Sequence, residues 1–200
     1  MPTTLRRPGR PPGPGVVAGR EQLLAAAERA IRRLGPDAPL DAMAAEAGVT
    51  KPILYRHVGD KAALVDAIAE RLVDRINAAV AATAHAGDDP STAWRRFLEA
   101  YLEVVDREPQ LFLFASTAAA PDDEHRLLRL ADRSARPMAE RLGGGLAALT
   151  RAYAVIGMLH VVTLWWLRDR AVTREALVEH LLAVVSSPDF VPTDLGGLPI

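Results

Sequence analysis

Apolar residues recur along most of the chain at intervals of three and four positions, which places them on one face of an α-helix. The first stripe begins at Arg20 and stops at Gly35, which a proline follows. The spacing predicts these helices: Arg20–Leu34, Leu40–Ala47, Lys51–His57, Asp60–Ala84, Trp94–Val105, Pro109–Thr117, Asp122–Leu142, Leu146–Arg168 and Thr173–Ser186. No stretch alternates apolar and polar residues as a half-buried strand does, so we predict an all-α fold of about nine helices.

The chain divides by composition and pattern into four segments. Residues 1–19 are rich in proline, glycine and arginine and contain little to pack, so we expect a disordered basic arm. Residues 20–66 contain three helices, the last two separated by a short turn with a glycine, which is typical of a helix-turn-helix head. We expect a second helical domain over residues 67–187 and an irregular tail over residues 188–200.

Composition narrows the class of protein. The chain contains no cysteine, which excludes disulfides and thiolate metal sites. Its basic, proline-rich start does not resemble a signal peptide. The most apolar run, Ala152–Leu167, is shorter than the roughly 20 residues that span a bilayer. We therefore interpret it as a buried helix of a soluble, cytoplasmic protein, and expect no membrane contact.

The net charge of −1 hides an asymmetry between the two ends of the chain. Residues 1–61 carry ten Lys/Arg against six Asp/Glu, whereas residues 62–200 carry fourteen against nineteen. A basic first third joined to an acidic remainder favours a polyanion bound at one end. A difference this small can also arise by chance, so it supports that interpretation without deciding it.

Both lysines of the chain lie in the segment AAEAGVTKPILYRHVGDKAAL, residues 44–64. Gly48 gives the turn its backbone freedom, and Thr50 stands where it would cap the next helix, whose first N–H groups can bind phosphate. Long or flat donors surround this two-turn helix: Lys51, Tyr55, Arg56, His57 and Lys61. In a helix-turn-helix the start of the second helix reaches base edges, so the segment predicts a DNA contact. Taken singly, Tyr55 could equally be a core residue and His57 a surface histidine.

Residues 43–64 resemble the DNA-binding domain of the TetR family of transcriptional regulators, whose pattern is loosely I-A-x-x-A-G-V-[ST]-x-x-x-[LI]-Y-x-[HY]-F-x-[SDN]-K-x-x-L. The spacing agrees without a gap, and the resemblance covers about residues 20–66. Val58 departs from the usual phenylalanine. Pro39 stands where a serine or threonine often caps the second helix and contacts phosphate, so that contact is not expected.

The resemblance implies a role for each matching residue. It implies phosphate contacts from four of them: Thr50, Tyr55, His57 and Lys61. It implies that Lys51 and Pro52 face the major groove, where lysine could donate to guanine and proline could touch a thymine methyl. Upstream, Arg6-Arg7-Pro8-Gly9-Arg10-Pro11 looks like an AT-hook, with Arg10 in a narrow minor groove. The alternative for this arm is a basic tail held by non-specific charge.

The second half is similar to the ligand-binding and dimerisation domain of the same family. Aromatic, sulfur-containing and polar side chains could line an apolar cavity there: Trp94, Phe97, Tyr101, Phe112, Met138, Met158, His160, Thr163 and Trp165. Of these we take six as candidate ligand-binding residues: Phe97, Tyr101, Phe112, Met138, His160 and Trp165. Such a lining predicts a hydrophobic small molecule, although each residue could instead belong to an ordinary core.

The last two predicted helices carry apolar stripes wider than one packing face needs, which favours a homodimer over a monomer. Two recognition helices related by two-fold symmetry would suit a pseudo-palindromic double-stranded DNA operator. The family resemblance implies a repressor whose ligand tilts the long fourth helix and releases the operator. The alternative is a helical small-molecule-binding or interaction protein without specific DNA binding.

An enzyme is not expected. The five histidines form no H-x-x-x-H or H-E-x-x-H motif, so a zinc site on a helix has no support. The serines lack a nucleophile elbow, and no glycine-rich phosphate loop follows a strand. We therefore predict no metal, no cofactor and no catalytic residue.

Overall fold

The computed structural model of the chain describes residues 19–85, 87–117 and 125–187. Within these residues it contains nine helices and no strand, which confirms the predicted all-α class. The helices are α1 Arg20–Leu34, α2 Leu40–Glu46, α3 Lys51–Val58, α4 Lys61–Ala82, α5 Pro90–Arg107, α6 Pro109–Thr117, α7 Arg126–Arg141, α8 Gly145–Asp169 and α9 Arg174–Val185. The predicted basic arm with Arg10 and the predicted tail over residues 188–200 lie outside the described residues.

Capping residues explain where the helices begin. Asp60 is the N-cap of α4, where its Oδ1 accepts the N–H of Ala63 at 2.8 Å. α5 begins at Pro90, four residues before Trp94, the first residue of the apolar stripe. The reason is Asp89, whose Oδ1 accepts the N–H groups of the two residues after Pro90 at 3.0 and 3.1 Å. Apolar spacing alone could not detect this polar first turn.

The head is built around α1. This helix packs against α2, α3, α4 and α6, and its apolar side is buried as far as Ile31. Leu24 and Ile31 of α1 lie in the same core as Met43 of α2, Leu54 of α3 and Leu64 of α4. The head and the first turns of α4 therefore share one hydrophobic core.

A buried carboxylate joins α1 to the second half of the molecule. Glu28 of α1 is 3% exposed. Its oxygens accept hydrogen bonds from Arg32 at 3.2 Å, from Arg71 of α4 at 2.8 Å and from Arg75 of α4 at 2.9 Å. Burial alone would raise the pKa of Glu28, but the hydrogen bonds from Arg75 and Arg71 outweigh it and hold that pKa below its ordinary value of 4.5.

The network around Glu28 extends to the corner between α5 and α6. Arg32 makes a two-pronged ion pair with Glu108, with Nε–Oε2 at 2.7 Å and Nη2–Oε1 at 2.8 Å. Arg71 also pairs with Glu21. Three carboxylates therefore balance three guanidinium groups in one cluster: Glu21, Glu28, Glu108, Arg32, Arg71 and Arg75.

The remaining helices surround α4. It packs against α5, α6 and α7, while α8 packs against α7 and α9 packs against α5. Pro137 lies inside α7, and the helix continues through it. Because α4 packs against the helices of the head and against α5, α6 and α7, any movement of α4 is transmitted to both halves of one continuous hydrophobic core.

The apolar helix α8 is less buried than the sequence predicted. By length and composition it could cross a bilayer, a test that core helices of soluble proteins also pass. One face, including Val155, Leu159 and Trp166, is buried. On the opposite face Val161 is 65% exposed and Trp165 is 39% exposed. The interpretation of this run as a buried helix is therefore wrong for half of its surface.

The Glu28 cluster makes a stability prediction. Glu28→Gln leaves three arginines around a neutral group, so we expect the free energy of unfolding to fall by about 3–5 kcal/mol in urea titrations. Because the pKa of Glu28 is lowered in the folded state, its contribution is present above pH 4.5 and is lost as the pH falls through the folded-state pKa. The difference between wild type and variant should therefore shrink in acid.

Glu46→Gln is the matched control, since Glu46 pairs with Arg29 and Arg33 at the surface. We expect a much smaller loss for this variant. Equal losses for the two variants would contradict a special role for the buried carboxylate.

Candidate nucleic-acid interface and ligand cavity

The second helix of the helix-turn-helix is held by one buried face. Leu54 and Val58 of α3 lie in the head core, which leaves the opposite side of this two-turn helix directed outward. The turn before it contains Gly48 at φ +67°, a left-handed conformation that glycine adopts without strain. The sequence prediction of this turn is confirmed.

A second glycine fixes the end of α3. Gly59 has φ +98°, and a Cβ at this position would lie 2.9 Å from the Cβ of Ala63. The chain therefore turns tightly enough to bring the start of α4, and with it Lys61, next to the end of α3. This places the two lysines of the chain at opposite ends of α3.

The predicted DNA-contacting residues differ in exposure. Thr50, Pro52, Arg56 and Lys61 are exposed, whereas three others are half-buried: Lys51, Tyr55 and His57. Thr50 occupies the N-cap position with extended backbone, but its side chain makes no capping hydrogen bond. Its hydroxyl does not satisfy the first N–H groups of α3, contrary to the predicted cap.

The cations of the head differ in whether they have an ion-pair partner. Lys51 lies 3.7 Å from Asp41, and Arg29 and Arg33 share Glu46. The exposed cations Arg56 and Lys61 make no ion pair with any residue that the structure describes. Their charges are therefore not offset within the head.

The surroundings of His57 and Pro39 bear on the predicted DNA-contacting surface. The Nε2 atom of His57 is shielded from solvent and has no hydrogen-bond partner in the described part of the chain. Its predicted phosphate contact stays a prediction. Pro39 is the N-cap of α2 and makes no side-chain hydrogen bond. A proline offers no hydroxyl at this position, as expected from its departure from the family pattern.

A cavity of about 870 Å³ lies among α4, α5, α6, α7 and α8. Five of the six candidate ligand-binding residues line it: Phe97, Tyr101, Phe112, Met138 and His160. Its walls are mainly apolar, and its size is within the range of small-molecule sites in proteins.

The structure places Trp165 outside the cavity lining, on the exposed face of α8. Trp165 follows His160 by five positions, and at about 100° per residue these two side chains point about 140° apart around the helix. Met158 and Thr163 also lie outside the lining. Thr163 is buried and shares a hydrogen bond of 3.0 Å with the hydroxyl of Tyr101.

The sequence interpretation missed the walls that α4 and α7 provide. The additional lining residues on these two helices include Leu72, Val73, Ile76, Asn77, Val80, Leu130, Ala131 and Ser134. The apolar stripe of α4 was visible in the sequence, but it gave no sign of whether the stripe faces a packed core or a cavity.

Burial changes the acid–base properties of two cavity residues. It raises the pKa of Tyr101 well above its ordinary value, against the smaller opposing effect of the Thr163 hydrogen bond, so this phenol stays neutral. Burial, and then the positive charge of Arg126, lowers the pKa of His160. The His160 ring packs against Phe112 with centroids 5.6 Å apart. Among the described residues no group of three His, Asp or Glu side chains could hold a metal ion.

An all-α chain that presents an outward-facing two-turn helix after a glycine turn, with a cavity behind it, defines a helix-turn-helix regulator. Residues 23–68 match the family model described as "Bacterial regulatory proteins, tetR family". The head of the chain is therefore similar to the DNA-binding domain of the TetR family of transcriptional regulators.

Known relatives extend this likeness beyond the head. An uncharacterized HTH-type transcriptional regulator of Mycobacterium tuberculosis is 29% identical over 180 residues, which cover 82% of this chain and 74% of that protein. The HTH-type transcriptional activator FasR of Mycolicibacterium smegmatis is 32% identical over 88 residues, 44% of this chain and 40% of that protein. These relatives are regulators rather than enzymes.

Solved structures show the same architecture. A TetR-like transcriptional regulator from Rhodococcus is 25% identical and superimposes with a TM-score of 0.60, covering 82% of this chain and 92% of that chain. The fatty acid degradation regulator FadR from Bacillus halodurans is 15% identical and has a TM-score of 0.68, covering 83% of this chain and 93% of that chain. The similarity to FadR, at 15% identity, supports the fold alone.

The two glycines around α3 give a paired test. We expect Gly59→Ala to lower the free energy of unfolding more than Gly48→Ala does. Both positions have positive φ, which costs a non-glycine residue about 1–2 kcal/mol. Only at Gly59 would the new methyl group also meet a neighbour at less than 3.0 Å, whereas nothing lies within 4 Å at Gly48.

Urea denaturation monitored by circular dichroism measures both variants. If Gly48→Ala were the more damaging change, the tight turn between α3 and α4 would not be the constraint that fixes the head.

Proposed function

We propose that the chain is a homodimeric, ligand-responsive repressor that binds a pseudo-palindromic DNA operator and is released by a hydrophobic small molecule. The observation that carries the proposal is the double use of α4. Its first turn carries Lys61 beside the recognition helix, and its later turns, from Ala69 to Val80, form a wall of the cavity. Access to chromosomal DNA implies a cytoplasmic location.

The exposed side of α3 supports DNA binding. Thr50 and Pro52 are accessible at its start, and Arg56 and Lys61 bring charges with no ion-pair partner in the described residues. Lys51 is held near the start of α3 by Asp41 at 3.7 Å, and DNA phosphate or guanine would compete for that lysine. We assign phosphate contacts to Lys61 and to Tyr55, and base contact to Lys51.

The unpaired faces of α8 and α9 support a homodimer. Trp165 is 39% exposed on the outer face of α8, and Val184 is 39% exposed on α9. Val161, one turn before Trp165, is 65% exposed at the rim of the cavity. Covering such apolar groups with the same surface of a second copy satisfies two-fold symmetry. The two recognition helices could then enter successive major grooves about 34–36 Å apart.

Coupling between the cavity and the head follows from the Glu28 cluster. Arg71 and Arg75 lie on the stretch of α4 that borders the cavity, and both hold Glu28 of the head. Arg32 ties the same cluster to Glu108 beside the start of α6. A ligand that moves α4 relative to α6 would therefore rotate α1 and the recognition helix with it. Couplings of this kind amount to about 1–3 kcal/mol.

Two lysine variants test the DNA interface. We expect Lys61→Ala to weaken binding to all DNA sequences similarly. It should also lower the slope of the logarithm of the binding constant against the logarithm of the salt concentration by about one. We expect Lys51→Ala also to relax base preference, since a specific base contact is worth about 1–3 kcal/mol. Fluorescence anisotropy across salt concentrations, with the DNA upstream of the chain's own gene and a scrambled fragment, measures both effects.

Arg168→Ala is the control for these variants, because Arg168 is an exposed cation at the far end of α8. Identical, sequence-independent losses for Lys51→Ala and Lys61→Ala would contradict the base contact. A wild-type protein with no salt-dependent DNA binding would favour the alternative of a helical binding protein without a DNA target.

A charge on the outer face of α8 tests the dimer. We expect Trp165→Glu to shift the protein to a monomer in sedimentation-velocity experiments and to weaken operator binding, because a carboxylate would be buried without a partner. Leu34→Glu is the control, since Leu34 is 47% exposed on α1. A dimer that persists in Trp165→Glu at micromolar concentration would place the interface elsewhere.

A further inference from the structure

The cavity is long. Its lining follows α4 from Ala69 to Val80 and α7 from Leu127 to Arg141. At 1.5 Å per residue these stretches cover about 16 Å and about 21 Å. A cavity that follows two helices over three to four turns suits an extended chain better than a compact ring system.

The two helices run parallel, so the cavity has two distinct ends. Asp66 of α4 pairs with Arg126 of α7 at 2.5 Å, and Asp74 pairs with Arg133 further along both helices at 2.6 Å. One end therefore lies near the start of α7 and the end of α6, where Ser116 and His160 line the wall. The other end lies near the loop that joins α4 to α5.

Most polar groups of the cavity wall already have partners. The hydroxyl of Ser134 donates to Oδ1 of Asn77 at 2.9 Å, and Nδ2 of Asn77 donates to the carbonyl of Arg133 at 3.1 Å. His160 and Arg141 differ, since neither side chain makes a hydrogen bond with any described residue. Arg141, at the other end of the cavity, is exposed to solvent, whereas His160 is half-buried. A polar group in an apolar wall without a partner is available to a ligand.

A buried arginine, Arg126, lies behind the cavity wall near His160 and does not itself line the cavity. Arg126 is 6% exposed. Its Nε donates to Asp66, its Nη1 donates to the carbonyl of Ala115 at 2.8 Å, and its Nη2 is buried without a partner in the described residues. Ala115 lines the cavity, and the charge of Arg126 acts on His160. The end of the cavity at His160 therefore favours an acceptor or an anion over a cation.

The imidazole itself adds no charge. Burial and the charge of Arg126 lower the pKa of His160, so the ring is neutral near pH 7 and offers one N–H donor and one acceptor. The hydroxyl of Ser116, which donates to the carbonyl of Phe112 at 2.8 Å, adds a second group that can turn towards a ligand.

We infer that the cavity binds a single-chain amphiphile, with its hydrocarbon tail along α4 and α7 and a carboxylate or carbonyl head at His160 and Ser116. The inference rests on the proposed ligand function of this cavity and names the chemical class of that ligand. The shared chemistry is an acyl chain with an acceptor head, present in a free fatty acid and in its coenzyme A thioester.

Displacement of the fluorescent dye phenylnaphthylamine from the full-length protein tests the inference. The probes have one chain length and different heads: laurate, lauroyl-coenzyme A, dodecanol and dodecylamine. We expect laurate or its thioester to displace the dye at a concentration at least about tenfold lower than dodecylamine, as a charge-assisted hydrogen bond would give. Naphthalene, a compact apolar probe, should displace it least.

Variants locate the head group. We expect His160→Leu, and separately Ser116→Ala, to reduce the preference of the protein for laurate over dodecylamine several-fold, with the melting temperature recorded for each. Leu146→Ala is the control, since Leu146 is 81% exposed at the start of α8 and lies outside the cavity lining, and it should keep the preference. A preference that survives in both polar variants would overturn the assignment.

The assignment would also be overturned if the probes with all four head groups displaced the dye equally, or if naphthalene displaced it better than they do. Failure of the dye to bind would contradict the cavity as a ligand site and the head-group assignment with it. Operator binding is measured on the same preparations, so that a failure of this inference can be told from a failure of the proposed regulatory function. A protein that binds its operator but shows no head-group preference overturns this inference alone.

Discussion

The central constraint on this molecule is that α4 packs against both halves of one continuous hydrophobic core. Its first turns pack with α1 and α3 in the head, and its later turns form a wall of the cavity. Glu28 strengthens the connection, because a carboxylate that is 3% exposed is stable only while its arginine partners stay in place. Movement of α4 away from α1 would leave that charge buried and unpaired. The head therefore follows α4 rather than moving independently of it.

The two ends of the molecule also expose different kinds of surface. The outer side of α3 and the start of α4 keep exposed cations, whereas the outer sides of α8 and α9 keep exposed valine and tryptophan side chains. In a lone subunit neither surface is matched by a partner within the described residues. DNA and a second copy of the chain are the partners whose chemistry fits them, as the proposed function requires.

Much of the fold could be predicted from the sequence because its signals are local. Helical spacing, the glycines at 48 and 59 and the cap at Asp60 determine the head within a few residues, and the match to the family pattern fixes its register. The start of α5 was missed because Asp89 and Pro90 initiate it with polar residues. Capping chemistry would have found it.

The cavity was harder to predict because its lining depends on how helices face one another. The aromatic residues of α5 and α6 were found, but Trp165 was misplaced, since a periodic stripe does not reveal which of two apolar faces turns inward. The buried position of Glu28 was missed for the same reason. The sequence of α1 does not indicate that one of its carboxylates is surrounded by Arg71 and Arg75, which follow more than forty positions later.

The absence of cysteine from the chain allows one direct test of the coupling through α4. A spin label on Ala45→Cys, an exposed position of α2, would report the distance between the two heads of a dimer by pulsed electron paramagnetic resonance. The account predicts one defined distance on operator DNA and a shifted distribution when laurate fills the cavity. It also predicts that Glu28→Gln uncouples the shift from laurate binding. An identical distance distribution with and without cavity ligand would contradict it.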